Sequence, residues 1–244
     1  MSDQVKKLFY LLIKDIRAYY LKPPLITWGL MFPAVLVLAF YLRSPGQVTD
    51  VIPGLIGMTI LFGATSIEAV VIAFEKRVGS LDRLIMAPLH TSTLLMGKLL
   101  GGVLFGILTG AMLLLVSGRV WDLPLPHAAW LPLVFFLSGL AFASFGTLVA
   151  VSVQEVFEAM TLANYFRFPM IFLCGVFVPV LSMPLWIRPL SYVLPLTYTV
   201  DALRICLLGK QGLFGIGVHL ILLMLFTIVL FSASVRLFNR RYVG

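Results

Sequence analysis

The chain has 244 residues, of which 61% are hydrophobic and only 11% charged, with a mean hydropathy of +1.06. A soluble domain is about 45–50% apolar and about 25% charged, and one of this length has too little interior for so much apolar surface. Composition therefore excludes an ordinary soluble domain and a disordered chain, and points to an all-α integral membrane protein. Lys and Arg number 18 against 10 Asp and Glu, a net charge of +8. No basic run is interleaved with aromatics, so the excess fits anchoring at membrane helix ends rather than nucleic-acid binding.

In residues 1–22, Leu8, Phe9, Leu12 and Ile16 recur at helical spacing while Lys6, Lys7, Lys14 and Arg17 lie mostly off that face. Charges spread through the segment do not fit a cleavable signal. Pro23 and Pro24 forbid simple continuation of the helix. The expectation is an amphipathic helix along the cytoplasmic interface, followed by a transmembrane domain over residues 23–244.

A span needs about 20 mainly apolar residues. Six runs qualify or nearly so: 25–42, 51–74, 99–118, 128–153, 168–187 and 211–235. They are continuous rather than alternating, which predicts helices and not barrel strands. The stretch of about 184–210 is interrupted by Pro189 and Pro195 and reads as short helices dipping into one interface. Thirteen of the 18 Lys and Arg residues fall on the side of the termini, including Lys76, Arg77, Lys98, Arg167 and Arg241. That bias predicts both termini in the cytoplasm.

Between the second and third runs, Gly79 lets the chain turn, and Ser80 and Asp82 suit a helix N-terminus. Leu81, Leu84 and Ile85 form an apolar face, and Pro88 ends the element. The reading is a short helix over about 80–87, lying across the membrane face as a docking element. Glu68 is the acidic residue set well inside a run, and must face protein or water. With Phe62, Phe166 and Phe168 it is a candidate for a translocation path; hydrogen bonding for packing is its other reading. Gly102, Gly106 and Gly110 make a stripe for close helix approach, within one subunit or at a dimer seam. Glu155 and Glu158 read as a solvated turn. Cys174 and Cys206 form no Cys-x-x-Cys, and no Walker A loop, H-E-x-x-H or G-x-S-x-G motif occurs. The chain is thus expected to be no enzyme, with no cofactor or metal of its own.

The run from Glu75 through Leu84, then Met86-Ala87-Pro88 and Gly97-Lys98, resembles the loop signature of transmembrane subunits of type-2 ABC exporters. So do Phe168-Pro169, Cys174-Gly175-Val176-Phe177-Val178-Pro179, Met183-Pro184-Leu185-Trp186, Pro195-Leu196-Thr197-Tyr198 and Asp201-Ala202-Leu203-Arg204. Ser80 stands where many relatives have Thr, and Asp82 where many have Glu, both mild departures. The resemblance implies a homodimer, or a pair with a similar permease, docked on two cytoplasmic ATPase subunits that bind ATP and Mg. It implies coupling through Glu75, Arg77, Gly79, Ser80, Leu81, Asp82, Leu84, Ile85 and Pro88, supported by the N-terminal helix. It implies an external cap built with Phe177, Pro179, Pro184, Trp186, Tyr198 and Arg204. The function implied is export of an amphipathic or hydrophobic substrate (drug, lipid-like or polysaccharide) across the cell membrane. The alternative is a proton-coupled carrier or membrane enzyme using Glu68.

Overall fold

The computed structural model describes residues 10, 13–14, 31, 34–42, 48–86, 90–210 and 212–243. Among them every regular element is a helix. Leu8, Phe9, Leu12 and Ile16 lie outside the described residues, as do Pro88 and the side chain of Asp82. Of the first apolar run, residues 34–42 are helical.

Helix α1 (Val48–Arg77) is the centre of the molecule. It touches α3 (Thr91–Trp121), α4 (Leu131–Ser152), α5 (Val156–Leu173) and α7 (Pro195–Leu208). That encirclement explains why a helix apolar all round is buried along most of its length. Its 30 residues run roughly 45 Å, so Asp50 and Arg77 mark opposite ends of the bundle. Gly79, at φ +66°, ends it in the left-handed region that favours glycine.

The small-residue stripe of α3 packs inside the subunit. A methyl group on Gly106 would sit 3.0 Å from Ala64 Cβ, and one on Gly102 would sit 2.9 Å from the Ala64 carbonyl. The two backbones can approach only because these side chains are missing. Leu55, Ile56, Ile60 and Leu61 of α1 then join Val103, Phe142, Val200 and Leu203 in the main apolar core.

Among the described residues, four helical segments are long and apolar enough to cross a membrane: Val48–Arg77, Thr91–Trp121, Ala128–Ser152 and Ile216–Tyr242. The fifth predicted span is corrected. The helix there is α5, and it starts 12 residues before the expected 168. Glu155 and Glu158 are its capping box rather than a solvated turn, and Glu158 accepts hydrogen bonds from the Glu155 and Gln154 amides. A capping box satisfies orphan amides with polar side chains, so a helix start of this kind lowers local hydropathy. The chain leaves helical geometry after Leu173 and turns at Gly175, φ +83°. Residues 174–187 are not one continuous helix; they hold a short 3₁₀ turn at Val180–Ser182. Arg167, expected in a loop, lies within α5 at 2% exposure.

Two short helices follow, α6 (Arg188–Tyr192) and α7, before α8 (Ile216–Phe238) and a closing π-turn (Asn239–Val243).

Candidate coupling site and outer cavity

The end of α1 near Gly79 carries a buried cluster of charge. Glu75 and Lys98 form an ion pair with neither side chain exposed. Lys14 donates to the other Glu75 carboxylate oxygen at 2.6 Å, its own side chain 44% exposed. One carboxylate thus links the N-terminal segment, α1 and α3. Such a pair is stable in low dielectric only because each charge is matched. The next residue ties the remaining helices. Lys76 donates to the carbonyls of Ala150 and Val153, each at 2.9 Å, and Arg241 donates to those of Val151 and Ser152 at 3.1 and 2.7 Å. Two cations therefore sit on the negative end of α4, where cations are favoured. The ring of Tyr242 lies 4.7 Å from the Lys76 ammonium.

The short helix α2 (Ser80–Ile85) is seated on this cluster. Its apolar face points inward. Leu81 is 1% exposed and packs with Leu94, Leu95, Val151 and Phe238, and Leu84 and Ile85 rest against the same group. The Ser80 hydroxyl donates back to the Glu75 carbonyl at 3.3 Å, closing α1 instead of capping α2. Of the residues singled out for coupling, Glu75 and Leu81 anchor the element from inside. Arg77 is exposed. So are Val78, Arg83 and Met86, which the apolar-face argument did not select. Helical phase finds Arg83, which lies between the inward positions of α2, while Val78 and Met86 flank the helix.

Glu68 is wholly buried, and the Gly102 amide donates to its carboxylate at 2.9 Å. A methyl group on Gly146 would lie 3.0 Å from Glu68 Cβ, so the side chain is wedged between α3 and α4. Phe62 faces Arg167, whose guanidinium lies 5.1 Å from the ring centroid. Arg167 also donates to Asn164 at 3.2 Å, and its Nε and Nη2 atoms are buried without a hydrogen bond among the described residues. Phe166 and Phe168 are about half exposed on the outer surface of α5. Glu68 is thus held inside the bundle, while Phe166 and Phe168 lie on its surface.

The opposite end of the bundle holds the residues expected to form the external cap. Pro184 and Trp186 are exposed, and Phe177 stacks on Phe40 at 5.6 Å between ring centroids. The Tyr198 hydroxyl donates to the Tyr192 carbonyl at 2.5 Å, tying α7 to α6. Arg204 donates to the Gly175 carbonyl at 2.9 Å, holding the turn after α5. Burial pushes its guanidinium below the ordinary arginine value, against the opposing pull of Asp201 and Asp50. Asp201 accepts from the Leu213 amide at 2.5 Å and lies 3.0 Å from His219 Nε2. A cavity of about 400 Å³ opens here, with Asp50, Pro179, Asp201, Arg204 and Lys210 on its wall.

The profile of the ABC-2 type transporter family matches residues 6–208, from the N-terminal segment to the end of α7. The chain belongs to the ABC-2 type transporter family. It is similar to a protein named probable multidrug ABC transporter permease YbhR in Escherichia coli K12, with 27% identity over 194 residues, covering 78% of this chain and 52% of that protein. It is also similar to nodulation protein J of Sinorhizobium fredii, 28% identical over 151 residues and covering 62% of this chain and 57% of the relative. ABC transporter G family member 20 of Dictyostelium discoideum is 29% identical over 170 residues, covering 68% of this chain and 22% of that protein. The chain spans about half the length of the first two of these relatives. As an ABC-2 family member it is a multi-pass, all-helical membrane protein.

Proposed function

We propose that the chain is the permease subunit of an ATP-driven exporter, with a separate cytoplasmic ATPase binding ATP and Mg and supplying the energy. The observation that carries this reading is α2, a short helix anchored inward by Leu81, with Arg83 on its outer side and the exposed Arg77, Val78 and Met86 flanking it. Within an ABC-2 family member, an exposed face set on a charge cluster joining four segments suits a lever for a partner's motion. The finer picture has six spans, both termini in the cytoplasm, and two copies pairing so that substrate moves between them. Two ATPase subunits then dock on the pair. Relatives named as multidrug permeases support an amphipathic or hydrophobic substrate. The tight packing of Glu68 against Gly102 and Gly146 supports a structural role for it and disfavours a proton carrier.

The test is co-purification with candidate ABC ATPase subunits from the same organism, followed by ATP hydrolysis with and without candidate amphiphiles. A stable complex with substrate-stimulated turnover is expected. Gradient-driven transport by this chain alone in ATPase-free liposomes would overturn the assignment.

A further inference from the structure

The cavity at the end remote from α2 has a charge pattern that selects one kind of ligand. Its wall carries two anions, Asp50 and Asp201, and two cations, Arg204 and Lys210. They are not equivalent. Asp201 is committed: its Oδ2 takes the Leu213 amide and faces His219, and its side chain is only 8% exposed. Arg204 is held but not saturated. Among the described residues its one hydrogen bond goes to Gly175, and its nearest approach to Asp201 is 3.9 Å. It therefore turns further N–H groups to the cavity from a side chain 11% exposed.

At the rim, Lys210 donates to Asp50 at 2.6 Å, both side chains about half exposed. An ion pair in water is worth little, so its partners exchange cheaply for those of a ligand. The exchange has a condition. An anion entering alone takes Lys210 and leaves Asp50 with only the pull of Arg204, and a cation entering alone takes Asp50 and leaves Lys210 without its carboxylate. A ligand with both signs matches both groups and adds an anion to the unsaturated Arg204. Phe177, Val180 and Leu213 complete the wall with apolar surface for the stem beside such a headgroup.

We propose that this cavity binds a zwitterionic headgroup, with its anionic end on Arg204 and Lys210 and its ammonium on Asp50. A phospholipid and a soluble zwitterion share that chemistry. Binding is a property of this chain alone, so the proposal goes beyond the coupling reading and does not depend on it.

The test uses the full-length chain in maltoside micelles and calorimetric titration with four probes: dihexanoyl phosphatidylethanolamine, glycerophosphoethanolamine, dimethyl phosphate and ethanolamine. At least one zwitterion is expected to bind about tenfold tighter than either singly charged probe, the scale of one charge-assisted hydrogen bond. Equal binding of the two zwitterions identifies a soluble ligand; binding of the acylated one alone identifies a lipid. Arg204→Gln is expected to weaken zwitterion binding about tenfold or more. Asp50→Asn, at a half-exposed site, is expected to weaken the zwitterion and strengthen dimethyl phosphate. No saturable zwitterion binding, equal binding by the singly charged probes, or an Asp50→Asn protein with unaltered preference would overturn the proposal. No ATPase takes part, so failure here leaves the coupling assignment standing.

Discussion

Glu75 and Lys98 are 23 residues apart in sequence and meet as a fully buried ion pair between α1 and α3. The same carboxylate holds Lys14, and the neighbouring Lys76 holds the end of α4. Two adjacent residues of α1 thus bind the segments that meet beside α2. Under the proposed function, a push on α2 would reach the bundle through these groups, of which the Glu75–Lys98 pair cannot separate without leaving a buried charge unmatched.

Lys98→Met strands the Glu75 carboxylate in the interior with only half-exposed Lys14 beside it. The expected cost is about 3–5 kcal/mol, read as a lower thermal unfolding midpoint in detergent. Lys14→Ala is expected to cost about 0–1 kcal/mol, because its side chain is partly in water. Equal effects of the two would show that the buried pair is not the anchor.

The inner face of α2 and the exposed residue that follows it separate folding from docking. Leu81→Glu places a charge among Leu94, Leu95 and Phe238 and is expected to unfold the chain or lower its midpoint sharply. Met86→Glu changes a residue 78% exposed and is expected to leave the midpoint within a few tenths of a kcal/mol of unchanged stability. Under the proposed function, Met86→Glu reduces recovery of the ATPase in co-purification. Full recovery with a folded variant would move the docking surface elsewhere.

Gly106→Val introduces a branched side chain where Ala64 Cβ stands 3.0 Å from the first added carbon. Neither backbone can yield without opening the α1–α3 seam, so a loss of about 1–3 kcal/mol or more is expected. Gly118→Ala, on the same helix with nothing within 4 Å, is the control and is expected to be neutral or slightly stabilising. Equal midpoints for both variants would contradict the close approach.

Arg167 carries a charge in the interior with two nitrogens lacking a hydrogen bond among the described residues. Exchange for Met keeps much of the volume and removes the desolvated charge, so a stability gain of about 1–4 kcal/mol is expected. A gain accompanied by lost transport would identify Arg167 as retained for function at the expense of stability. A large loss of stability would instead reveal a partner that compensates the charge.

Much of this was legible from residue order alone, for physical reasons. Lipid as solvent demands long apolar runs, so hydropathy located the segments that became α1, α3, α4 and α8. Gly79 marked the turn that precedes the short helix α2, because turn chemistry is local. The start of α5 escaped the same reading. Glu155 and Glu158 look like loop residues to a hydropathy average, although they are the two halves of one cap.

What residue order could not supply is which side of each helix meets which neighbour. The inward turn of Leu81 depends on Leu94, Val151 and Phe238, brought together from three other elements. Glu68 finds the Gly102 amide 34 positions away, and Lys210 finds Asp50 across 160. The chain's long continuous apolar runs dictated a bundle of helices in oil, since a helix satisfies its own backbone there and barrel strands would alternate. The partners of its few charges were settled by packing, because pairing across such separations follows from how the helices pack and leaves no periodic trace along the chain.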